Sequence, residues 1–174
     1  MSAMLERTRT RKSVIARLLA ANTDAAGRVK DSVVNNVAAE ECPLLSVYTL
    51  TQNGDGDASH LPAFDTNLNL KIDAYVVASE DWSDRLDNLC EQVEATLLRN
   101  PDFVKEYSGF TSYSTNIQLE SDGEKPVASA AIQIGLRFRQ EFEPIIPDNL
   151  KTTDITVVDM HGNTRMKTGI SHKE

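Results

Sequence analysis

The sequence has few of the residues from which metal centres and disulfide frameworks are built. It contains two cysteines and three histidines in 174 residues. Cys42 and Cys90 follow neither a metal-binding nor a redox spacing, and Cys90 falls on the apolar stripe of a predicted helix, where a free thiol behaves as a small hydrophobe. The histidines, His60, His161 and His172, all fall in predicted loops or in the tail. The pattern therefore predicts neither a zinc site nor a catalytic histidine.

Other signatures are missing as well. No apolar segment approaches the length of a membrane span, and the apolar stretch behind the basic N-terminus is too short for a signal peptide. There is no Gly-x-Ser-x-Gly nucleophile elbow, and no glycine-rich run resembles a phosphate-binding loop. We therefore expect a protein that is made in a cytoplasm, makes no membrane contact, holds no cofactor and is not an enzyme.

The net charge of -8 argues against general nucleic-acid binding, which is driven by cations that neutralise phosphates. The charge is unevenly distributed. An N-terminal block is basic and consists of Arg7, Arg9, Arg11, Lys12 and Arg17. The exposed face of a predicted central helix is acidic and carries Glu80, Asp81, Asp84, Asp87, Glu91 and Glu94. Each is typical of a solvated surface, and each is also compatible with complementary contact between copies in an oligomer.

The segment from Phe64 to Phe103 predicts a strand that runs into an amphipathic helix. Apolar residues alternate with polar ones from residue 67 to 76, as a strand with one buried face requires. From Trp82 onwards the apolar residues recur at spacings of three and four, which places them on one helical stripe. Asn100 and Pro101 end this helix. The predicted core anchors, including two from the last long strand, are Leu70, Ile72, Trp82, Leu86, Leu89, Val93, Ile134 and Leu136.

The remaining elements surround this unit. A first helix of about four turns is predicted within residues 10–22, and a strand within residues 41–52. The turn-rich stretch Asn53–Phe64 predicts a mobile hairpin loop between antiparallel strands. Asp55 and Asp57 give it a superficial likeness to a calcium loop, but the bidentate carboxylate of an EF-hand is missing. Residues 111–120 and 126–144 predict two further strands, with Arg137 and Arg139 on the outward side of the second.

These elements predict an α+β fold, in which a mixed or antiparallel sheet is flanked by two main helices, over residues 1–143. Residues 144–174 form a C-terminal extension. Within it Ile155, Val157 and Val158 favour a small hairpin strand, and the last ten residues favour disorder or ordering by a partner. An exposed, long apolar edge strand would be an interface or an aggregation liability, and the sequence does not identify the edge.

Several segments in this order resemble the tail terminator proteins of long-tailed bacteriophages, the lambda-type minor tail protein U family. The resemblance covers residues 13–143. Its elements are the first helix with NTDAAGRVKDS, then ECPLLSVYT, then NLNLKIDAYVV leading into WSDRLDNLCEQVEATLLRNPDF, and finally SYSTNIQLESDGEKP with ASAAIQIGLRFRQEF. Each motif alone is common, and their order and spacing carry the resemblance.

The resemblance implies a structural virion protein without catalytic residues or cofactors. Members of the family form a hexameric ring that caps the tail tube, ends its polymerisation and provides the joint to the capsid connector. The implied partners are further copies of the chain, the tail tube protein, a neck or connector protein and, in contractile tails, the sheath. Genomic DNA would be passing cargo that an acidic lumen wall repels. The implied location is the virion tail, after assembly in the host cytoplasm.

Exposure and charge suggest the residues for subunit or partner contacts. They are Arg7, Arg9, Arg11, Lys12, Asp55, Asp57, His60, Arg137 and Arg139. Two alternatives stay open: another neck, completion or tube protein of the tail, or a small binding module or hydrolase without a recognisable motif. The extension could dock on a neighbouring subunit or on a sheath.

Overall fold

The computed structural model describes residues 5–33, 37–56, 62–120, 126–142, 152–158 and 164–171. For Glu120 and for the last two ranges it describes the backbone alone. The chain divides into two compact units, Met1–Phe142 and Glu143–Glu174. The described helices and the larger sheet lie in the first unit. Because this unit combines helices with a sheet of mainly antiparallel strands, it belongs to the α+β class.

Within its described ranges, the first unit contains three helices, one 3₁₀ turn at Ala39–Glu41 and five strands. The helices are α1 (Glu6–Ala20), α2 (Trp82–Leu97) and α3 (Pro101–Val104). The strands are β1 (Val29–Asp31), β2 (Leu44–Gly56), β3 (Ala63–Val77), β4 (Gly109–Glu120) and β5 (Val127–Glu141).

The five strands form one mixed sheet in the order β1-β2-β3-β5-β4. β1 runs parallel to β2, and every other neighbouring pair is antiparallel. The long β3 lies at the centre, which explains its strict alternation: Leu70 and Ile72 pair with Ile134 and Ile132 of β5 on the buried face. β1 and β4 are the two edges.

Both long helices cover the same face of this sheet. α1 packs on β1 and β2, α2 packs on β3 and β5, and the two helices contact each other. Leu18 of α1 and Leu89 of α2 therefore belong to one core cluster with the inward residues of the strands. Of the predicted core anchors, Leu70, Ile72, Leu86, Leu89, Val93, Ile134 and Leu136 are buried. Trp82, at the first position of α2, is partly buried and packs against the same core.

The predicted loop Asn53–Phe64 is wrong at both ends. β2 continues to Gly56 and pairs there with Phe64, and Asn53 pairs with Asn67. The turn-forming residues join the ladder because glycine leaves room for the partner strand: a Cβ added at Gly54 would lie 2.9 Å from the Cβ of Phe64. The strands on either side are antiparallel, as predicted.

The start of α2 has no side-chain cap. Asp81 occupies the N-cap position, but its side chain makes no hydrogen bond to the helix backbone. It accepts instead from the hydroxyl of Ser79, at 2.7 Å, and this bond lowers the pKa of the Asp81 carboxyl. The cap that forms is at the following helix, where Asn100 Oδ1 accepts from the amide of Asp102 at 3.0 Å. Asn100 and Pro101 thus end one helix and begin the next.

The second unit contains an antiparallel hairpin of β6 (Thr152–Val158) and β7 (Thr164–Ser171). The register pairs Ile155 with Thr168 and Val157 with Met166. β7 reaches into the last ten residues of the chain, for which the sequence favours disorder or ordering by a partner. Only Met166 and Ile170 are apolar in TRMKTGIS, which is why the sequence pattern did not reveal a strand there.

Candidate interaction surface

The most exposed apolar surface of the first unit is the edge strand β4. Phe110, Tyr113, Ile117 and Leu119 are 39%, 50%, 50% and 53% exposed. Half of the large hydrophobic side chains that are exposed among the described residues thus belong to this one strand. Tyr113 and Ile117 pair with Ile134 and Ala130 of β5, so that they lie on the helix-covered side of the sheet. We call Tyr113, Ile117 and Leu119 the edge patch.

The edge patch is exposed because α2 does not extend over it. α2 packs on the two central strands, β3 and β5. A side-chain hydrogen bond links α2 to β4: the hydroxyl of Tyr113 donates to Glu94 and lies 3.0 Å from Oγ1 of Thr115. Partial desolvation and this bond to a carboxylate raise the pKa of Tyr113. Ile117 and Leu119 are left about half exposed.

The opposite edge strand of the sheet, β1, is short and charged. β1 has three residues, and two of them are charged. Lys30 pairs with Glu41, which lowers the pKa of the Glu41 carboxyl. Asp31 lies 2.6 Å from Nε of Arg11. Short length and charge are the devices that protect a sheet edge from pairing with another chain. β4 has neither, since its twelve residues include no lysine, no proline and a single charge, at Glu120.

An aromatic cluster anchors the beginning of β4 to the core. Phe103 is fully buried, with its ring centroid 5.1 Å from that of Tyr107 and 6.5 Å from that of Phe110. Tyr107 also contacts Phe138 of β5 edge to face. The guanidinium of Arg17 lies 5.5 Å from the centroid of the Phe103 ring. These contacts hold the start of β4 against the core. The outer edge of β4 pairs with no further strand among the described residues.

The sheet face opposite the helices is polar. Lys71 and Asp73 form an ion pair of 2.8 Å at its centre, and the Lys71 ammonium lies 5.5 Å from the centroid of the Tyr48 ring. A depression of about 500 Å³ opens here, lined mainly by hydrogen-bonding side chains, among them Asn116, Gln118, Ser129 and Gln133. No group of three potential metal ligands occurs in the part of the chain that the structure describes. Hydrogen bonding to a polar surface is the chemistry this face offers.

The basic block lies on α1, and much of it is used inside the fold. Arg11 contacts Asp31 and donates to Oγ1 of Thr49 at 3.4 Å. Arg17 pairs with Glu106, and Arg9 lies 3.5 Å from Glu6. Arg7 and Lys12 are the exposed cations of the block that make no ion pair within the described ranges. Of the predicted contact residues on this helix, these two and Arg9 remain available to a partner.

Three of the other predicted contact residues, Asp55, Arg137 and Arg139, lie near the end of the β2–β3 hairpin. Nε of Arg137 donates to Asn67 at 3.4 Å, and Nε of Arg139 lies 2.9 Å from Glu141. Asp55 is exposed. In the strand register Asp55 pairs with Asp65 of β3, and Asp65 pairs with Arg139 of β5. Asp55, Arg137 and Arg139 therefore lie at one end of the polar face. Asp57 and His60 lie outside the described residues.

The acidic side chains predicted to be exposed on the central helix are exposed with one exception, because Glu94 is partly buried and accepts the hydrogen bond of Tyr113. Asp84, Asp87 and Glu91 are exposed, away from the buried stripe. Both cysteines are free and buried. Burial raises the pKa of the Cys90 thiol to about 11 and also raises that of Cys42. Buried thiols with raised pKa values are poor nucleophiles.

Sequence patterns did not identify Phe110 as part of the surface, nor the uncovered state of β4. The spacing of Phe103, Tyr107 and Phe110 was the available signal for the aromatic cluster. No protein-family model matches the sequence, and no curated protein is significantly similar to it. In the described part of the chain no helix is long and apolar enough to cross a membrane. Within the described residues, the fold and its surfaces thus define an α+β protein whose sheet has one edge that is neither short nor strongly charged.

Proposed function

We propose that the chain is a tail terminator: a structural virion protein that assembles into a homo-oligomeric ring, ends growth of a phage tail tube and joins it to the capsid connector. The observation that carries the proposal is the unprotected edge β4 with its patch of half-exposed apolar side chains. Monomeric proteins protect such edges, because an unpaired apolar strand is a template for association. A subunit of a ring requires a surface of this kind.

Two further observations support the proposal. The elements succeed one another as a helix, a strand, a hairpin, a second helix and a strand pair, which is the order on which the resemblance to tail terminators rests. The exposed face of α2 is acidic, and the chain carries a net charge of -8. Acidic surface facing a lumen repels DNA phosphates and allows the genome to slide. The proposed partners are the tube protein, a neck or connector protein and, where present, a sheath.

Tail tubes assembled without the protein provide the test. Purified chain is added to such tubes, further tube protein is supplied, and the tubes are imaged by cryo-electron microscopy. The proposal expects one ring of density at one tube end and no further elongation. Tubes that stay bare and continue to grow would refute it. Stacked rings of the chain alone, extending into long tubes, would instead identify a tube protein.

Ile117→Lys and Gln118→Lys are a matched pair for this test. They place the same charge at adjacent positions of β4, the first on the apolar side and the second on the polar side of the sheet. A ring that forms through the edge patch tolerates Gln118→Lys and is lost with Ile117→Lys. If both variants cap tubes equally well, the edge patch does not take part in ring formation.

A further inference from the structure

The described part of the second unit is the two-stranded hairpin β6–β7. It comprises two strands of seven and eight residues, in the second compact unit of the chain. A two-stranded hairpin alone is marginally stable in water at best, and it needs a third strand or another layer to persist. The chain therefore contains a sheet fragment that requires a partner and, in β4, a sheet edge that is open to one.

The register divides the hairpin into two faces of different composition. Positions that pair directly lie on the same face of a sheet. One face carries Thr153, Ile155, Val157, Met166, Thr168 and Ile170. The other carries Thr152, Asp154, Thr156, Lys167, Gly169 and Ser171, and beyond a shift in the register Val158 pairs with Thr164. Such a hairpin has one face suited to burial and one suited to solvent.

β4 is divided in the same way. Its apolar edge patch lies on the side of the sheet that the helices cover, while Ser114, Asn116 and Gln118 lie on the polar side. β4 is twelve residues long, so either strand of the hairpin fits along it. When a strand is added with its apolar face on the helix side, the apolar surfaces of the two sheets become continuous and the polar faces remain in solvent.

We infer that the β6–β7 hairpin of one copy adds to the β4 edge of the next copy, and that this strand addition is the joint between subunits of the ring. The inference rests on the proposed function. Each copy offers one hairpin and one open edge, while its other edge, β1, is short and charged. Joining two different surfaces is a heterologous contact, which closes into a ring when the rotation permits. The added strands give main-chain hydrogen bonds, and the apolar side chains give specificity.

Two full-length variants separate the halves of this joint. The edge variant, Ile117→Lys with Leu119→Lys, leaves the hairpin intact. The hairpin variant, Ile155→Asp with Val157→Asp, leaves β4 intact. Matched controls place the same charges on the opposite faces: Gln118→Lys for β4 and Thr156→Asp for β6. Circular dichroism and thermal unfolding of each variant establish that the first unit remains folded.

Native mass spectrometry reports the association. The expected result is an oligomer of the unmodified chain, at least about tenfold weaker association for each variant alone, and little effect of either control. An equimolar mixture of edge and hairpin variants retains one intact joint per pair, so it forms a one-to-one heterodimer that grows no further. That heterodimer is the signature of hairpin-to-edge exchange.

Other outcomes overturn the inference. Association of the hairpin variant that is as strong as that of the unmodified chain would show β4 pairing with β4 of a second copy. A second such outcome is an unmodified chain that stays monomeric, with β4 amides protected from hydrogen exchange only when the hairpin is intact. In that case the hairpin covers the β4 edge of its own chain. If the hairpin variant still caps tail tubes, the proposed joint is refuted and the terminator function is not. If the unmodified chain forms the joint but never caps tubes, the terminator function alone is refuted.

Discussion

Gly135 of β5 lies so close to Ser112 of β4 that a Cβ added to the glycine would stand 3.0 Å from the Ser112 amide nitrogen and 2.5 Å from its Oγ. The register between β4 and β5 shifts between Phe110 and Ser112 at this point. A shifted register of this kind crowds an extra residue against the neighbouring strand, and glycine is the residue that makes room for it. The position of the open edge thus depends on a glycine in the strand beside it.

Gly135→Ala is therefore expected to destabilise the protein by about 1–3 kcal/mol, because the methyl group meets backbone as well as side chains. Gly109→Ala, at the start of β4, is the control, since a Cβ there has no atom within 4 Å. The control should change the free energy of unfolding by less than about 0.5 kcal/mol. Urea titrations of the three proteins measure the difference, and equal stability of the two variants would contradict the crowding at Gly135.

The aromatic cluster predicts a second contrast. Phe103 is fully buried, whereas Phe110 is 39% exposed. Phe103→Ala should cost about 3–5 kcal/mol, because it leaves a cavity in the core and removes the ring beneath Arg17. Phe110→Ala should cost on the order of 1 kcal/mol, because much of that ring is already in water. Thermal unfolding compares them, and a larger loss for Phe110→Ala would mean that β4 is more deeply packed than described.

The ion pair on the polar face predicts non-additive effects. Asp73 is 6% exposed and pairs with Lys71. Lys71→Met leaves a nearly buried carboxylate without its cation, and we expect a loss of about 1–3 kcal/mol. The double variant Lys71→Met with Asp73→Leu should recover most of this loss, because no unpaired charge remains. A double-mutant cycle on unfolding free energies gives the coupling, and strict additivity would show that the two side chains do not interact.

The Cys90 thiol should be unreactive in the native protein. A pKa of about 11, against an ordinary value of 9.0, lowers the thiolate fraction near pH 8 by about a hundredfold, and burial adds a steric barrier. Labelling with iodoacetamide should be slow in buffer and fast in denaturant. Rapid labelling of native Cys90, located by peptide mass spectrometry, would contradict the burial.

The same thiol predicts a dependence of stability on alkaline pH. Its folded pKa is raised above the unfolded value, so the stability from the neutral thiol is fully present below the unfolded pKa. That stability is lost as the pH rises through about 11. In the Cys90→Ala variant, the free energy of unfolding should fall less steeply as the pH rises towards 11.

Periodicity predicted the centre of the fold but not its edges. A central strand such as β3 is buried on one face along its whole length, so Leu70 and Ile72 show the two-residue period plainly, and Leu86 and Leu89 show the helical one. Whether Ile117 is covered depends on how far α2 extends across the sheet. That is a property of tertiary packing, which the alternation within β4 does not contain.

Where the predicted contact residues lie in the fold, and which of them pair within it, was predictable to a smaller extent. Charge and exposure selected Arg11 as readily as Arg7, but the fold brings Asp31 of β1 to Arg11 and uses that cation internally. The strand ladder likewise overrides the turn preference of Asn53 and Gly54, because Phe64 and its neighbours supply a pairing strand. Local preferences cannot reveal partners that are distant in sequence.

The most direct measurement is the tail length of virions made without this chain. In a phage that encodes it, the gene is deleted and the particles are examined by electron microscopy. Our account predicts tails of variable and excessive length that fail to join capsids, and restoration of uniform joined tails by the unmodified chain supplied in trans. Tails of normal, uniform length joined to capsids in the absence of the chain would contradict it.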